Sequence, residues 1–192
     1  MELTECLENI KQHQSFRDLE ENPPPSTPGI YCFYYTNDRF RFPQFDKFLS
    51  ASSHEHLLYI GISKNLNMRD FKNHFNGSSS DSTLRRSIGA LFRADGWNID
   101  VNPKGAGKNG VYNYHFDKQC ETRLSDWMKK SLKFSFWENH DHAWNKKYEP
   151  VLIKKLKPVL NILHSPNSVA AHKIRELRRD CIKEAREKRD VK

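Results

Sequence analysis

Gly29-Ile30-Tyr31-Cys32-Phe33-Tyr34-Tyr35 and Leu57-Leu58-Tyr59-Ile60-Gly61 are the two runs on which the reading turns. Both are rich in β-branched and aromatic residues, which suit a pleated, half-buried surface. Pro28-Gly29 opens the first and Gly61 ends the second, so the pattern predicts strands over 29–36 and 56–61. Ser63-Lys64-Asn65 then leads into a helical pattern over 64–76, with Leu66, Phe71 and Phe75 facing inward. Two strands that each carry a tyrosine, Tyr31 and Tyr59, followed by a helix carrying Arg69 and His74, predict one concave site.

Working outward, residues 2–21 read as a helix, and Pro23-Pro24-Pro25 breaks it into a stiff link. The segment 1–22 is expected to be an appendage packed on the main domain. Asn37 to His56 is a long insert whose many phenylalanines require packing, with a short helix near 44–51. Ser82 suits an N-cap, and Leu84, Ile88 and Leu91 follow at amphipathic spacing, with Arg85 and Arg86 on the first turn. Alternation at Trp97, Ile99, Val101 and again over 111–116 predicts a β-hairpin. Its tip holds Gly105-Ala106-Gly107-Lys108, which is no phosphate-binding P-loop: the spacing to an earlier glycine is wrong, Asn109 replaces the Ser or Thr, and the flanks are hairpin-like. A helix over 122–132, a short strand at Phe134 and Phe136 and a helix over 143–157 follow, the last stopped by Pro158. A charged helix over 168–190 reads as solvated, with Glu176–Arg179 and Glu184–Lys188 pairs.

The chain has 192 residues, room for one domain with appendages. No apolar run is long enough to cross a membrane, and the acidic start lacks a signal-peptide layout. Cys6, Cys32, Cys120 and Cys181 are scattered, form no CxxC pair and read as free thiols of a reducing cytoplasm. The net charge is +8, which fits a polyanionic partner such as nucleic acid. Residues 1–22 carry −4 and 173–192 carry +4, so the middle itself carries +8.

Pro28-Gly29-Ile30-Tyr31, Tyr59-Ile60-Gly61, Arg69 with His74, Glu149, and Leu160-Asn161 in that order resemble the GIY-YIG nuclease superfamily over residues 28–162. Ser82 to Leu91 resembles a subgroup of small bacterial members. The long separation of the two tyrosines is closest in layout to the restriction endonucleases. The resemblance implies an α+β fold, with a small mixed or antiparallel sheet flanked by helices, an inserted hairpin and terminal helices. It implies a metal-dependent endonuclease cutting DNA, double-stranded by preference, with one magnesium (or manganese) per site. Sequence-specific cutting is one form of that activity, and cutting both strands of a palindrome would favour a homodimer.

Carried over residue by residue, Tyr31 would position or deprotonate the attacking water, and Tyr59 would contact the phosphate or the same water. Glu149 would hold the metal, His74 would hydrogen-bond the nucleophilic side, and Asn161 would brace the site. Lys64, Arg85, Arg86, Lys104 and Lys108 are the candidate nucleic-acid contacts, together with the insert 37–56 and the hairpin. The family spaces its helical arginine and histidine four apart, whereas Arg69 and His74 are five apart, about 140° around an ideal α-helix. Three accounts stand: a local bulge, entry of Arg69 from the helix start, or a guanidinium supplied by Arg85 or Arg86. The same departure motivates an alternative, an inactive nucleic-acid-binding module on this scaffold. Pro150 fits best at the first position of a helix, with Glu149 at the cap.

Overall fold

The computed structural model describes residues 2–36, 55–107, 109–165 and 168–191; the side chains of 68–71 are outside that description, as are the expected helix near 44–51 and Lys108. The N-terminal segment is not one helix. It comprises α1 (Glu2–Asn9), β1 (Gln14–Ser15) and α2 (Phe16–Glu21), the last opened by a capping box between Ser15 and Asp18. β2 (Gly29–Thr36) and β3 (Glu55–Ser63) follow, then α3 (Asn67–His74), 3-10 turn Ser79–Asp81 and α4 (Thr83–Ala94). β4 (Val101–Asn102), β5 (His115–Phe116), α5 (Lys118–Ser131), β6 (Leu132–Glu138), α6 (His142–Leu156) and α7 (Val169–Asp190) complete the order. The expected hairpin shrinks to two pairs, Val101 with Phe116 and Asn102 with His115.

One antiparallel sheet, in the order β1-β6-β2-β3, organises the chain. Side chains alternate across a strand, and β2 uses both faces. Tyr31, Phe33 and Tyr35 enter a core shared with Phe75, Leu84, Ile88, Phe92, Trp127 and Phe134. Ile30 and Cys32 enter a second core with Cys6, Ile10, Trp137, Leu152 and Ile153. The sheet therefore has helices on both sides, which is why β2 reads as a continuous apolar-aromatic run.

The pairing of β2 with β3 slips between Phe33 and Tyr34. Leu58 and Tyr59, adjacent in sequence, consequently both pack on the first core. A bulge of this kind re-aims a side chain, and here the unpaired residue is Leu58, next to the motif tyrosine Tyr59.

α7 is not solvated all round. Ala171, Ile174, Cys181 and Ala185 are buried, and Glu184 bridges Arg93 of α4 at 2.6 Å while accepting the Val101 backbone N–H at 3.1 Å. The Glu184–Lys188 pair forms at 3.0 Å, but Glu176 pairs with His172 and Lys173 in place of Arg179. Pro150 lies inside α6, whose N-cap is Asp141, so Glu149 is mid-helix and not a cap. The proline removes the backbone donor that would have met the carbonyl one turn earlier.

Candidate active site

The two motif glycines are explained by close approach. A Cβ at position 61 would overlap the Tyr31 ring, and one at 29 would strike the Trp137 carbonyl and Leu66. Gly61 stands opposite Tyr31 in the ladder, so the second motif leaves a flat seat for the tyrosine of the first.

On that seat the Tyr31 hydroxyl lies 2.9 Å from His74 Nε2. His74 Nδ1 lies 2.6 Å from Ser82 Oγ, which also accepts the Arg85 backbone N–H at 3.1 Å as the N-cap of α4. A hydroxyl oxygen keeps a second lone pair as well as its O–H, so Ser82 can serve either tautomer of His74. With the proton on Nε2, the Ser82 O–H donates to Nδ1 and His74 donates to the Tyr31 hydroxyl. Tyr31 and His74 are 1 % and 0 % exposed. Tyr59 stands beside them, its ring centroid 6.1 Å from Tyr31 and 6.3 Å from His74.

α3 carries π-type hydrogen bonds, which run from residue i to i+5. Backbone positions five apart therefore succeed one another along this helix as positions four apart do in an α-helix. The extra residue between Arg69 and His74 is taken up by this local bulge; the Arg69 side chain is outside the described set.

Asn161 sits on the free edge of β3. Its side-chain amide accepts the Ile60 N–H at 2.9 Å and donates to the Ile60 carbonyl at 2.8 Å. Leu160 adds a backbone bond to Leu58 at 2.7 Å. The segment after α6 thus caps the edge next to Tyr59, much as another strand would.

Tyr59, Glu149 and Asn161 line one cleft of about 450 Å³, together with Thr83 and with Arg175, Arg178 and Arg179 of α7. Burial pushes the Glu149 carboxyl above its ordinary value. The structure therefore has a buried end, Tyr31–His74–Ser82, and an open end, Glu149–Asn161, with Tyr59 between them.

The basic candidates divide. Arg85 is completely buried: it pairs with Glu121 at 2.6 Å and donates to the His74 carbonyl at 2.8 Å and to Ser125 at 3.0 Å. It faces no ligand and cannot contact nucleic acid. Arg86 is 7 % exposed, and its Nη1 donates to the carbonyls of Ser79 and Ser80, both at 2.8 Å. Lys104 is exposed and paired with Asp81 at 2.6 Å, and Lys64 is exposed just after β3. Ser82, expected from sequence only as an N-cap, and the α7 arginines are additions to the sequence-derived site residues. The legible signal was the run Arg175, Arg178, Arg179 at one-face helical spacing.

Among the described residues no helix is long and apolar enough to cross a membrane, and Cys6, Cys32, Cys120 and Cys181 are buried free thiols. Comparison with curated proteins and with solved structures finds no significant match. The family profile described as GIY-YIG catalytic domain matches residues 29–188, most of the chain and both tyrosine motifs, and the chain belongs to that nuclease family.

Proposed function

We propose that the protein is a divalent-metal-dependent endonuclease that hydrolyses phosphodiester bonds in double-stranded DNA. The observation that carries this reading is the 2.9 Å contact between the Tyr31 hydroxyl and His74 Nε2 behind Tyr59, which shares a cleft with Glu149 and Asn161.

In this reading Tyr31 Oη takes the proton of the attacking water. A tyrosine hydroxyl with an ordinary pKa near ~10 needs help to act as a base, and the Nε2–H of His74 stabilises negative charge on that oxygen. Ser82 holds the imidazole in the donating tautomer. Tyr59, at the cleft wall, orients the phosphate or the water. Asn161 fixes the β3 backbone beside Tyr59, so the tyrosine does not drift with a fraying edge strand.

Glu149 is the residue that would hold the metal. It is a desolvated carboxylate beside an amide, and no cluster of three or more His, Cys, Asp or Glu occurs among the described residues. That donor set fits a hard, water-rich ion such as magnesium or manganese and does not fit a zinc site. When bound, the ion would neutralise charge on the phosphoryl and leaving oxygens.

The test is plasmid cleavage by wild type and Glu149→Gln with and without magnesium. Discrete fragments from wild type alone support a sequence-specific nuclease, and nicked circles or a smear support a weakly specific one. Intact plasmid in every lane, with salt-sensitive DNA binding, rejects the reading in favour of an inactive binding module.

A further inference from the structure

We propose that α7 is the second wall of the nucleolytic cleft and that Arg178 and Arg179 grip the phosphodiester backbone of the bound DNA. The inference rests on the nuclease reading of the same cleft and adds the element that holds its substrate.

Arg175, Arg178 and Arg179 line the cleft that also holds Tyr59, Glu149 and Asn161. Their spacing puts them on one face of α7. Arg175 is engaged, donating to the Ile162 carbonyl at 2.6 Å. Arg178 and Arg179 are not: among the described residues neither has a carboxylate within ion-pair reach, although five acidic residues lie between 173 and 192. Three of those acids are spent elsewhere. Glu176 takes His172 and Lys173, Glu184 takes Arg93 and Lys188, and Asp190 takes Arg189.

A second observation lies beneath the same wall. Arg86, 7 % exposed, has a buried Nε with no hydrogen-bond partner. Its Nη2 donates to Thr83 Oγ1 of the cleft lining at 3.3 Å. Burial, and next the nearby charge of Arg178, bring its guanidinium down to about 10. Asp81 offsets part of that repulsion, but among the described residues it pairs with Lys104 and not with either guanidinium, so two guanidinia that repel each other beside a cleft make a site for an anion. The anion a nuclease cleft takes is a backbone phosphate.

The chain is docked well enough to serve as a wall. Ile174, Cys181 and Ala185 are buried, and Glu184 and Lys188 tie the helix to α4 and β4. The family match also runs through this helix, to residue 188.

Fluorescein-labelled duplex DNA, titrated in EDTA across a potassium chloride series, tests the proposal on the full chain. Arg178→Gln/Arg179→Gln should weaken binding about tenfold or more and reduce the slope of log K against log salt by about 2, at roughly 0.9 per phosphate contact. Arg178→Lys/Arg179→Lys should keep the slope. If the double Gln variant melts below wild type, the exposed single Arg179→Gln carries the test, with a slope change of about 1. An unchanged slope overturns the proposal even if wild type cuts DNA in magnesium. A lost slope without cutting by wild type leaves the α7 assignment standing and sinks the nuclease reading. A wild type that binds no DNA overturns both.

Discussion

The Tyr31 hydroxyl and His74 Nε2 stand 2.9 Å apart where neither side chain meets solvent. The far side of the imidazole is held by the helix cap Ser82. A residue that starts a helix therefore also braces the imidazole behind Tyr31. Tyr31→Phe keeps the ring and its packing and removes only the hydroxyl. It should lose about 1–3 kcal/mol of stability, the cost of a buried polar partner removed, and about 10²–10⁴ in single-turnover cleavage rate, the range for a positioned acid or base. Ser82→Ala should lose about 1 kcal/mol of stability with its cap. It should also shift the His74 nitrogen resonances from the Nε2–H form toward a mixture. An unchanged tautomer in the variant would remove Ser82 from the site.

Gly61 gives a test of geometry alone. A methyl there would overlap the Tyr31 ring, yet position 61 is ordinary strand backbone that alanine accepts. Gly61→Ala should therefore displace the tyrosine while the sheet stays paired. The expected cost is about 1–3 kcal/mol, as for overpacking a core, with a loss of cleavage much larger than that stability change explains. Cleavage rate and denaturant midpoint, measured together, separate the two. Near-normal cleavage would mean that the Tyr31 position is not demanding.

Much of this architecture was legible because β2 and β3 are dense in residue types with few alternatives, and because Ser82 and the Leu84–Leu91 face mark a helix start. Three features were not. The break of the N-terminal helix depends on β1 finding β6, a pairing of residues more than a hundred positions apart. The burial of α7 rests on Ile174 and on Ala171, Cys181 and Ala185, small residues that barely register as an apolar stripe. The π-type winding of α3 has no residue signature and showed only as a mismatch, the five-residue step from Arg69 to His74. At the site, both tyrosines, His74, Glu149 and Asn161 followed from motif order, but the uses of Arg85 and Arg86 did not. Adjacent arginines on one helix turn look alike in sequence, and only the fold determines that one is sealed against Glu121.

That pairing makes Glu121 a structural residue with a large expected effect. Its carboxylate receives the Arg85 guanidinium, the Ser79 N–H at 2.8 Å and the Phe116 N–H at 3.2 Å. Glu121→Ala leaves Arg85, fully buried, without its counter-ion. Removing one partner of a buried pair costs about 3–5 kcal/mol. Replacing both partners is milder, so Glu121→Ala/Arg85→Met should recover part of the loss. The denaturant midpoints of the two variants check this. A single variant as stable as wild type would show that water reaches Arg85.

Glu149 offers a prediction in which stability and function oppose each other. Burial raises its pKa from the ordinary 4.5. The folded chain therefore holds this proton more tightly than the unfolded chain does. The sign follows from linkage: stability falls as pH rises from the unfolded value through the raised folded one, and the penalty is complete above it. In metal-free buffer at neutral pH, Glu149→Gln should melt higher than wild type, and the difference should close as pH falls toward 4.5. Magnesium should reverse the order. An ion that binds only the folded protein adds about 2.7 kcal/mol at a hundredfold excess over its Kd, and the variant lacks the carboxylate that would hold it. Thermal melts of both proteins across pH, with and without magnesium, read all of this without any substrate. If magnesium lifts the two melting temperatures equally, Glu149 is not the metal residue. If the metal-free order is wild type above variant at neutral pH, Glu149 has a stabilising partner in solution and its place as the open carboxylate of the cleft falls.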